Sequence, residues 1–123
     1  MNGPFTAPAL GHHILVDFWG ADHLHDPRPA ADVLRRAAQS AGATVLEVNL
    51  HDFGDRAGFT GVALLAESHI SIHTWPEHGY AAIDIFMCGD CDPLLSLAPL
   101  RAYFQPESEQ IKQLKRGLAP AVT

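Results

Sequence analysis

Two stretches near the middle of the chain alternate with a period of two, and this pattern constrains the fold more than any other feature. In the first, Ile70 and Ile72 alternate with His69, Ser71, His73 and Trp75; in the second, Ile83, Ile85 and Met87 alternate with Asp84, Phe86 and Cys88. Successive side chains of a strand point to opposite faces, so each stretch reads as a strand with one apolar face. Residues 76–79 supply the turn between them. The apolar sets require a covering layer. The opposite sets mix His, Asp and Ser with Phe, Trp and Cys, which are poor choices for open solvent. That face is expected to be partly covered, as an active site, a partner surface or both.

The remaining elements fit around this pair. Residues 13–19 and 44–53 read as strands, with Leu46, Val48 and Leu50 on one face of the second and Glu47, Asn49, His51 and Phe53 on the other. Residues 60–75 read as one extended segment in two characters, a continuous apolar run over 62–66 followed by the alternation from Ser68. Residues 109–114 read as a short last strand. A helix is expected over 30–41, where Ala30, Val33, Leu34, Ala37, Ala38 and Ala41 have helical spacing and Gly42 stops it. The Asp26-Pro27 and Arg28-Pro29 pairs read as breakers in the loop before it. A second helix is expected over 92–104, begun by Asp92-Pro93 and carrying Leu94, Leu95, Leu97, Ala98, Leu100 and Phe104. Residues 1–11 read as a loose arm and 54–58 as a turn. The order strand, helix, strand, strand, strand, helix, strand predicts an α+β fold: a two-layer α/β sandwich with a mainly antiparallel sheet and the helices on one face.

At 123 residues the chain is one domain, with a core that needs neither disulfides nor metal to form. Eight basic against 14 acidic residues give a charge of −6. The longest basic cluster is Lys112, Lys115 and Arg116, so no nucleic-acid footprint is present, and a cationic small substrate suits the balance better than an anionic polymer. No stretch is long and apolar enough for a membrane, and the first residues lack the pattern of a signal peptide. Two cysteines form no disulfide framework. A cytoplasmic globular domain is the expectation.

Eight histidines raise the question of metal or proton chemistry. His69 and His73 share a strand face but stand about 13 Å apart, too far for one ion. His12 and His13 point to opposite faces, and only the loop pair His23 and His25 has plausible reach; no metal site is expected. Cys88-Gly-Asp-Cys91 is a CxxC between a strand and a helix, but without the βαβ pattern of a thioredoxin-like domain. It reads as a redox pair, an incidental pair, or one functional cysteine with a bystander. Ser68, between Glu67 and His69, is a nucleophile only if a base lies within reach, and no G-x-S-x-G elbow surrounds it.

Residues 64–90, LLAESHISIHTWPEHGYAAIDIFMCGD, resemble the signature of the prokaryotic S-adenosylmethionine decarboxylases, pyruvoyl enzymes of polyamine and spermidine biosynthesis. Gly11-His12-His13 with residues 14–17, then 40–42, 51–53 and Lys115-Arg116-Gly117, fall in the family's order, although His12 stands where an Arg is often found. The resemblance implies a zymogen that cuts itself between Glu67 and Ser68 into a β chain, 1–67, and an α chain, 68–123. The Ser68 hydroxyl attacks the Glu67 carbonyl, the amide becomes an ester, and elimination leaves a dehydroalanine that loses ammonia to become a covalently bound pyruvoyl group. His73 matches the histidine that removes the α-proton in this elimination. Thr60 stands where the family usually has a Ser whose hydroxyl assists processing.

The same resemblance implies that the pyruvoyl carbonyl forms a Schiff base with the substrate amine, that carbon dioxide leaves, and that Cys88 donates the proton that follows. Phe53 matches a Phe that contacts adenine, and Glu77 matches a carboxylate beside the substrate. Cys91 has no role by this resemblance. Related pyruvoyl enzymes decarboxylate amino acids such as ornithine or arginine, so these are the alternative substrates; a CxxC redox domain is the alternative of a different class. Family members assemble as homo-oligomers with sites near subunit interfaces.

Overall fold

The structure, a computed structural model, describes residues 9–54 and 57–119. Most of the expected arm, and Asp55 and Arg56 of the expected turn, lie outside these residues. The described residues form six strands and two α-helices: β1 (Gly11–Trp19), α1 (Pro27–Ser40), β2 (Val45–Asp52), β3 (Phe59–Leu65), β4 (Ser68–Trp75), β5 (Tyr80–Cys88), α2 (Leu97–Phe104) and β6 (Ser108–Arg116). The strands form one sheet in the order β2-β3-β4-β5-β1-β6, and every neighbouring pair is antiparallel. The two helices pack on one face, giving the expected two-layer α+β sandwich.

Ile14, Val16 and Phe18 of β1, Ile70 and Ile72 of β4, and Ile83, Ile85 and Met87 of β5 are buried beneath Val33, Leu34, Ala37, Leu100 and Phe104 of the helices. Burial of each large apolar side chain is worth about 1.5–3 kcal/mol relative to exposure, and this layer is the core. Its two buried polar side chains are both satisfied. Thr74 Oγ1 donates to the Leu24 carbonyl (2.8 Å) and accepts from the Phe59 amide (2.9 Å), while Ser96 Oγ donates to the Ala37 carbonyl (2.7 Å). Among the described residues, no helix lies on the second sheet face. By the strand alternation it presents His13, Asp17, Thr60, His69, Ser71, His73, Trp75, Tyr80, Asp84 and Phe86.

Four expectations need correction. The segment 60–75 is not one strand but a tight hairpin: Leu65 pairs with Ser68, and Ala66 and Glu67 form the turn. No Gly, Pro or Asn marks this turn, because Glu67 itself takes the left-handed conformation, φ +60. Second, Leu46 does not share the apolar face with Val48 and Leu50. A β-bulge between Val45 and Glu47 makes it the unpaired extra residue, 67% exposed, and Val45 takes its place against the core. Third, Pro27 and Pro29 do not precede α1 but begin it. Asp26 is its cap, accepting from the Arg28 amide, and a proline in the first turn loses no helical hydrogen bond. Fourth, 92–104 is not one helix. Asp92 caps a 3₁₀ turn, Pro93–Ser96, which leaves Leu94 and Leu95 exposed before α2 begins.

Candidate active site

The β3–β4 hairpin and the β4–β5 pairing place the chemistry-bearing residues. Ser68 opens β4 directly after the Ala66-Glu67 turn, and the Cys88 amide at the end of β5 donates to Ser68 Oγ at 3.1 Å. The left-handed conformation costs an ordinary L-residue roughly 1–2 kcal/mol. That strain therefore sits on the residue whose carbonyl forms the peptide bond to Ser68. Around this end of the uncovered face stand His69 and Phe86, stacked at 5.8 Å between ring centres, with His13 edge-on to Phe86 at 5.6 Å.

His13 is the most constrained titratable group here. Arg116 Nη1 lies 3.4 Å from its Nδ1, and its buried Nε2 has no hydrogen-bond partner among the described residues, standing 3.9 Å from Asp84 Oδ1. Burial pushes the His13 imidazole below its ordinary value of 6.5; Asp84 opposes this, and His69 and Arg116 add to it. A histidine held neutral in the fold stabilises fully above pH 6.5, and this contribution is lost as the pH falls from there towards the lowered folded value. A His13→Gln variant is therefore expected to lose less thermal stability than the wild type on acidification below pH 6.5. Equal loss of Tm in both proteins contradicts it.

The other end of the same face has a different character. Thr60 Oγ1 and His73 Nδ1 are 3.1 Å apart across the β3–β4 pair. His73 leans towards Trp75 (6.2 Å), and Trp75, Tyr80 and Trp19 stack in a ladder with spacings of 5.3 and 4.4 Å. Tyr80 donates to Asp17 Oδ1 at 2.5 Å; burial first, then this bond, pushes the phenol up to about 12. His51 pairs with Thr60 from β2 and meets Phe53 edge-on at 4.7 Å. Glu77 lies in the exposed 3₁₀ turn Pro76–His78 that leads into β5.

The sequence matches the family model described as S-adenosylmethionine decarboxylase over residues 12–117. The chain belongs to the S-adenosylmethionine decarboxylase family. Among similar proteins, the S-adenosylmethionine decarboxylase proenzyme of Methanococcus vannielii is 43% identical over 89% of this chain and 91% of its own length. That of Thermomicrobium roseum is 36% identical over 89% and 96%. The crystal structure of the adenosylmethionine decarboxylase from Aquifex aeolicus superposes with a TM-score of 0.82 at 34% identity, covering 95% of this chain and 98% of that one.

Within this family fold, the residues singled out from the sequence divide into two groups. Glu67, Ser68 and Cys88 meet at one end of β4; Thr60 and His73 meet at the other, and Phe53 belongs to that end through His51. The strand from Ser68 to His73 spans roughly 17 Å at ~3.4 Å per residue. Ser68 also shares the alternation of Ile70 and Ile72, whereas His73 stands on the uncovered face. One chain therefore does not bring His73 to Ser68. The residue reading missed the His13–Phe86–His69 cluster and the Trp19–Tyr80–Trp75 ladder. Pairing of β1 with β5 creates both, and only the alternation along each strand hinted at the shared face. His23, one of the loop pair with metal-binding reach, instead stacks on Tyr103 at 4.6 Å.

Proposed function

We propose that the chain is a self-processing decarboxylase of S-adenosylmethionine, producing the aminopropyl donor of spermidine synthesis. The observation that carries this is the Ser68 hydroxyl, held by the Cys88 amide next to a strained turn, inside a chain that belongs to this family along most of its length. Ser68 Oγ attacks the Glu67 carbonyl carbon, the peptide nitrogen leaves as the Ser68 amine, and an ester joins the two residues. Removal of the Ser68 α-proton by His73 then expels the Glu67 carboxylate and leaves a dehydroalanine. Water replaces its nitrogen, ammonia departs, and chains 1–67 and 68–123 remain folded together. Thr60, hydrogen-bonded to His73, orients the imidazole for this proton transfer.

The residues at this end fit such a group: a hydroxyl with one fixed donor, a scissile carbonyl under strain, and a thiol on the adjacent strand. A pyruvoyl group made from Ser68 would supply an electrophilic carbonyl for the substrate amine and an electron sink for loss of carbon dioxide. Cys88 returns a proton to the substrate carbon. Phe53 offers an aromatic face to the adenine, and Glu77 a carboxylate beside the sulfonium substrate. Strain at Glu67 promotes the first step because the ester releases the turn. Glu67→Gly removes that strain, whereas Glu67→Ala keeps it and removes only the carboxylate. Glu67→Gly is expected to process about tenfold more slowly than Glu67→Ala, the factor that ~1.4 kcal/mol makes in a rate. Fragment formation followed by mass spectrometry measures both rates, and equal rates contradict the role of strain.

The active unit is a homo-oligomer in which a second copy supplies Thr60 and His73. An axis lying between two facing sheets and across their strands, near Ser71 and Asp84, exchanges the two ends of β4. It lays the turn end of β4, with the Glu67–Ser68 bond, and Cys88 of one copy over Thr60 and His73 of the other. Exposed Trp19, Leu64, Trp75 and Leu114 surround the polar centre of this face and supply apolar contact area. No helix among the described residues is long and apolar enough to cross a membrane. Carbon dioxide release from S-adenosylmethionine, ornithine and arginine, each labelled at the carboxyl carbon, tests the substrate. Release from S-adenosylmethionine supports the assignment, and preference for ornithine or arginine overturns it.

A further inference from the structure

Cys91 lies outside the site described so far, yet the fold joins it to Cys88. The Cys91 amide donates to the Cys88 carbonyl at 3.4 Å, closing a turn over Gly89 and Asp90, and Gly89 takes the left-handed conformation that a tight turn uses. A turn of this kind holds its first and fourth Cα atoms within about 7 Å, and a disulfide requires a separation of about 4.4–6.8 Å. Both cysteines are free thiols and both are partly exposed. They differ in access. Cys88 ends β5 on the alternation of Asp84 and Phe86, the face a second copy covers. Cys91 instead packs against the core and lines a cavity of about 500 Å³ with His12, Asp90, Leu94, Gln113 and Lys115. His12 shares the strand face of buried Ile14, while His13 and Leu114 of the opposite face also line this cavity, so it lies at the strand ends and reaches both faces of the sheet. The wall sets Lys115 and His12 beside Asp90 and Asp92, a mixed lining that suits a small molecule bearing both ammonium and carboxylate groups.

We propose that Cys91 and Cys88 form a thiol–disulfide exchange site that takes a small zwitterionic disulfide through this cavity. The Cys91 thiolate attacks one sulfur of the small disulfide, whose other half leaves as a thiol, and a mixed disulfide forms. The Cys88 thiolate then attacks the Cys91 sulfur and expels the second thiol. Two protein thiols and one small disulfide become one protein disulfide and two small thiols. The small disulfide is thus the oxidant, and the protein's two thiol protons end on the released thiols. Loss of the Cys88 thiol stops decarboxylation, a consequence that rests on its reading as the proton donor.

The test incubates the mature enzyme with oxidised glutathione, alkylates remaining thiols under denaturing conditions, and measures both the mass of chain 68–123 and the activity. The expected chain is about 2 Da lighter, free of alkyl and glutathione adducts, with activity reduced at least about tenfold and restored by a dithiol reductant. Cys91→Ala and Cys91→Ser keep the activity of the untreated enzyme and are inactivated at least roughly tenfold more slowly. A chain that alkylates at both cysteines, or Cys91 variants inactivated as fast as wild type, overturns the site. Formation of the disulfide with activity unchanged leaves the exchange site standing and overturns the donor role of Cys88.

Discussion

Ser68→Ala is expected to stay a single chain and to release carbon dioxide from S-adenosylmethionine only at background, at least roughly 10⁴-fold below wild type. By the proposed mechanism the substitution deletes both the nucleophile that opens the peptide bond and the oxygen whose elimination creates the reactive carbonyl, so neither step has a substitute. Its cost to the fold is small by comparison. Ser68 Oγ accepts one hydrogen bond, from the Cys88 amide at a partly exposed position. Losing such a bond costs about 1 kcal/mol, and Tm falls by a few degrees at most. Separation of chain integrity from activity is what the measurement reads. Cleavage of Ser68→Ala at the same bond, seen by mass, contradicts the role of its hydroxyl.

His73→Ala alone is expected to be cut about 10²–10⁴-fold more slowly than wild type, the usual worth of a positioned general base. The geometry adds a second, more specific outcome. Ser68 and His73 lie roughly 17 Å apart along β4, so under the proposed shared site the base that serves one Ser68 comes from another copy. Co-expression of His73→Ala with Ser68→Ala then creates mixed pairs. In each, one site receives Ser68 from the first chain and His73 from the second. The His73→Ala chain is expected to be cut in such pairs, up to about half of it with random pairing, and activity reappears. The Ser68→Ala chain remains whole throughout. Differently tagged chains verify that mixed pairs form. Mixed pairs without cleavage, or a His73→Ala chain that cuts itself alone as fast as in mixed pairs, contradict the shared site.

Much of this was legible because strands write their faces into the sequence. The alternation of Ile70 and Ile72 with His69, Ser71 and His73, and of Ile83, Ile85 and Met87 with Asp84 and Phe86, marked which side carries the helices and which carries polar and aromatic side chains. The signature over 64–90 pointed to Ser68, His73 and Cys88, and the β4–β5 register explains why Cys88 stands beside Ser68. What stayed hidden has physical causes. The turn at Ala66-Glu67 is invisible because it uses a left-handed glutamate where turn-forming sequences carry glycine or asparagine. Leu46 misled because a bulge shifts the alternation by one residue, and nothing in a leucine announces a bulge. Pro27 and Pro29 read as breakers because a proline that starts a helix and one that ends a helix look alike until the Asp26 cap is seen. The motif also grouped residues by role, whereas strand length separates them in space.

The central claim is that the chain cuts itself before Ser68 and turns that residue into a reactive carbonyl. Intact mass under denaturing conditions, with and without hydroxylamine, tests it most directly. The expected result is two chains, 1–67 and 68–123, the second blocked to sequencing at its N-terminus and gaining mass with hydroxylamine through its carbonyl. A single full-length chain, unchanged by hydroxylamine, contradicts it.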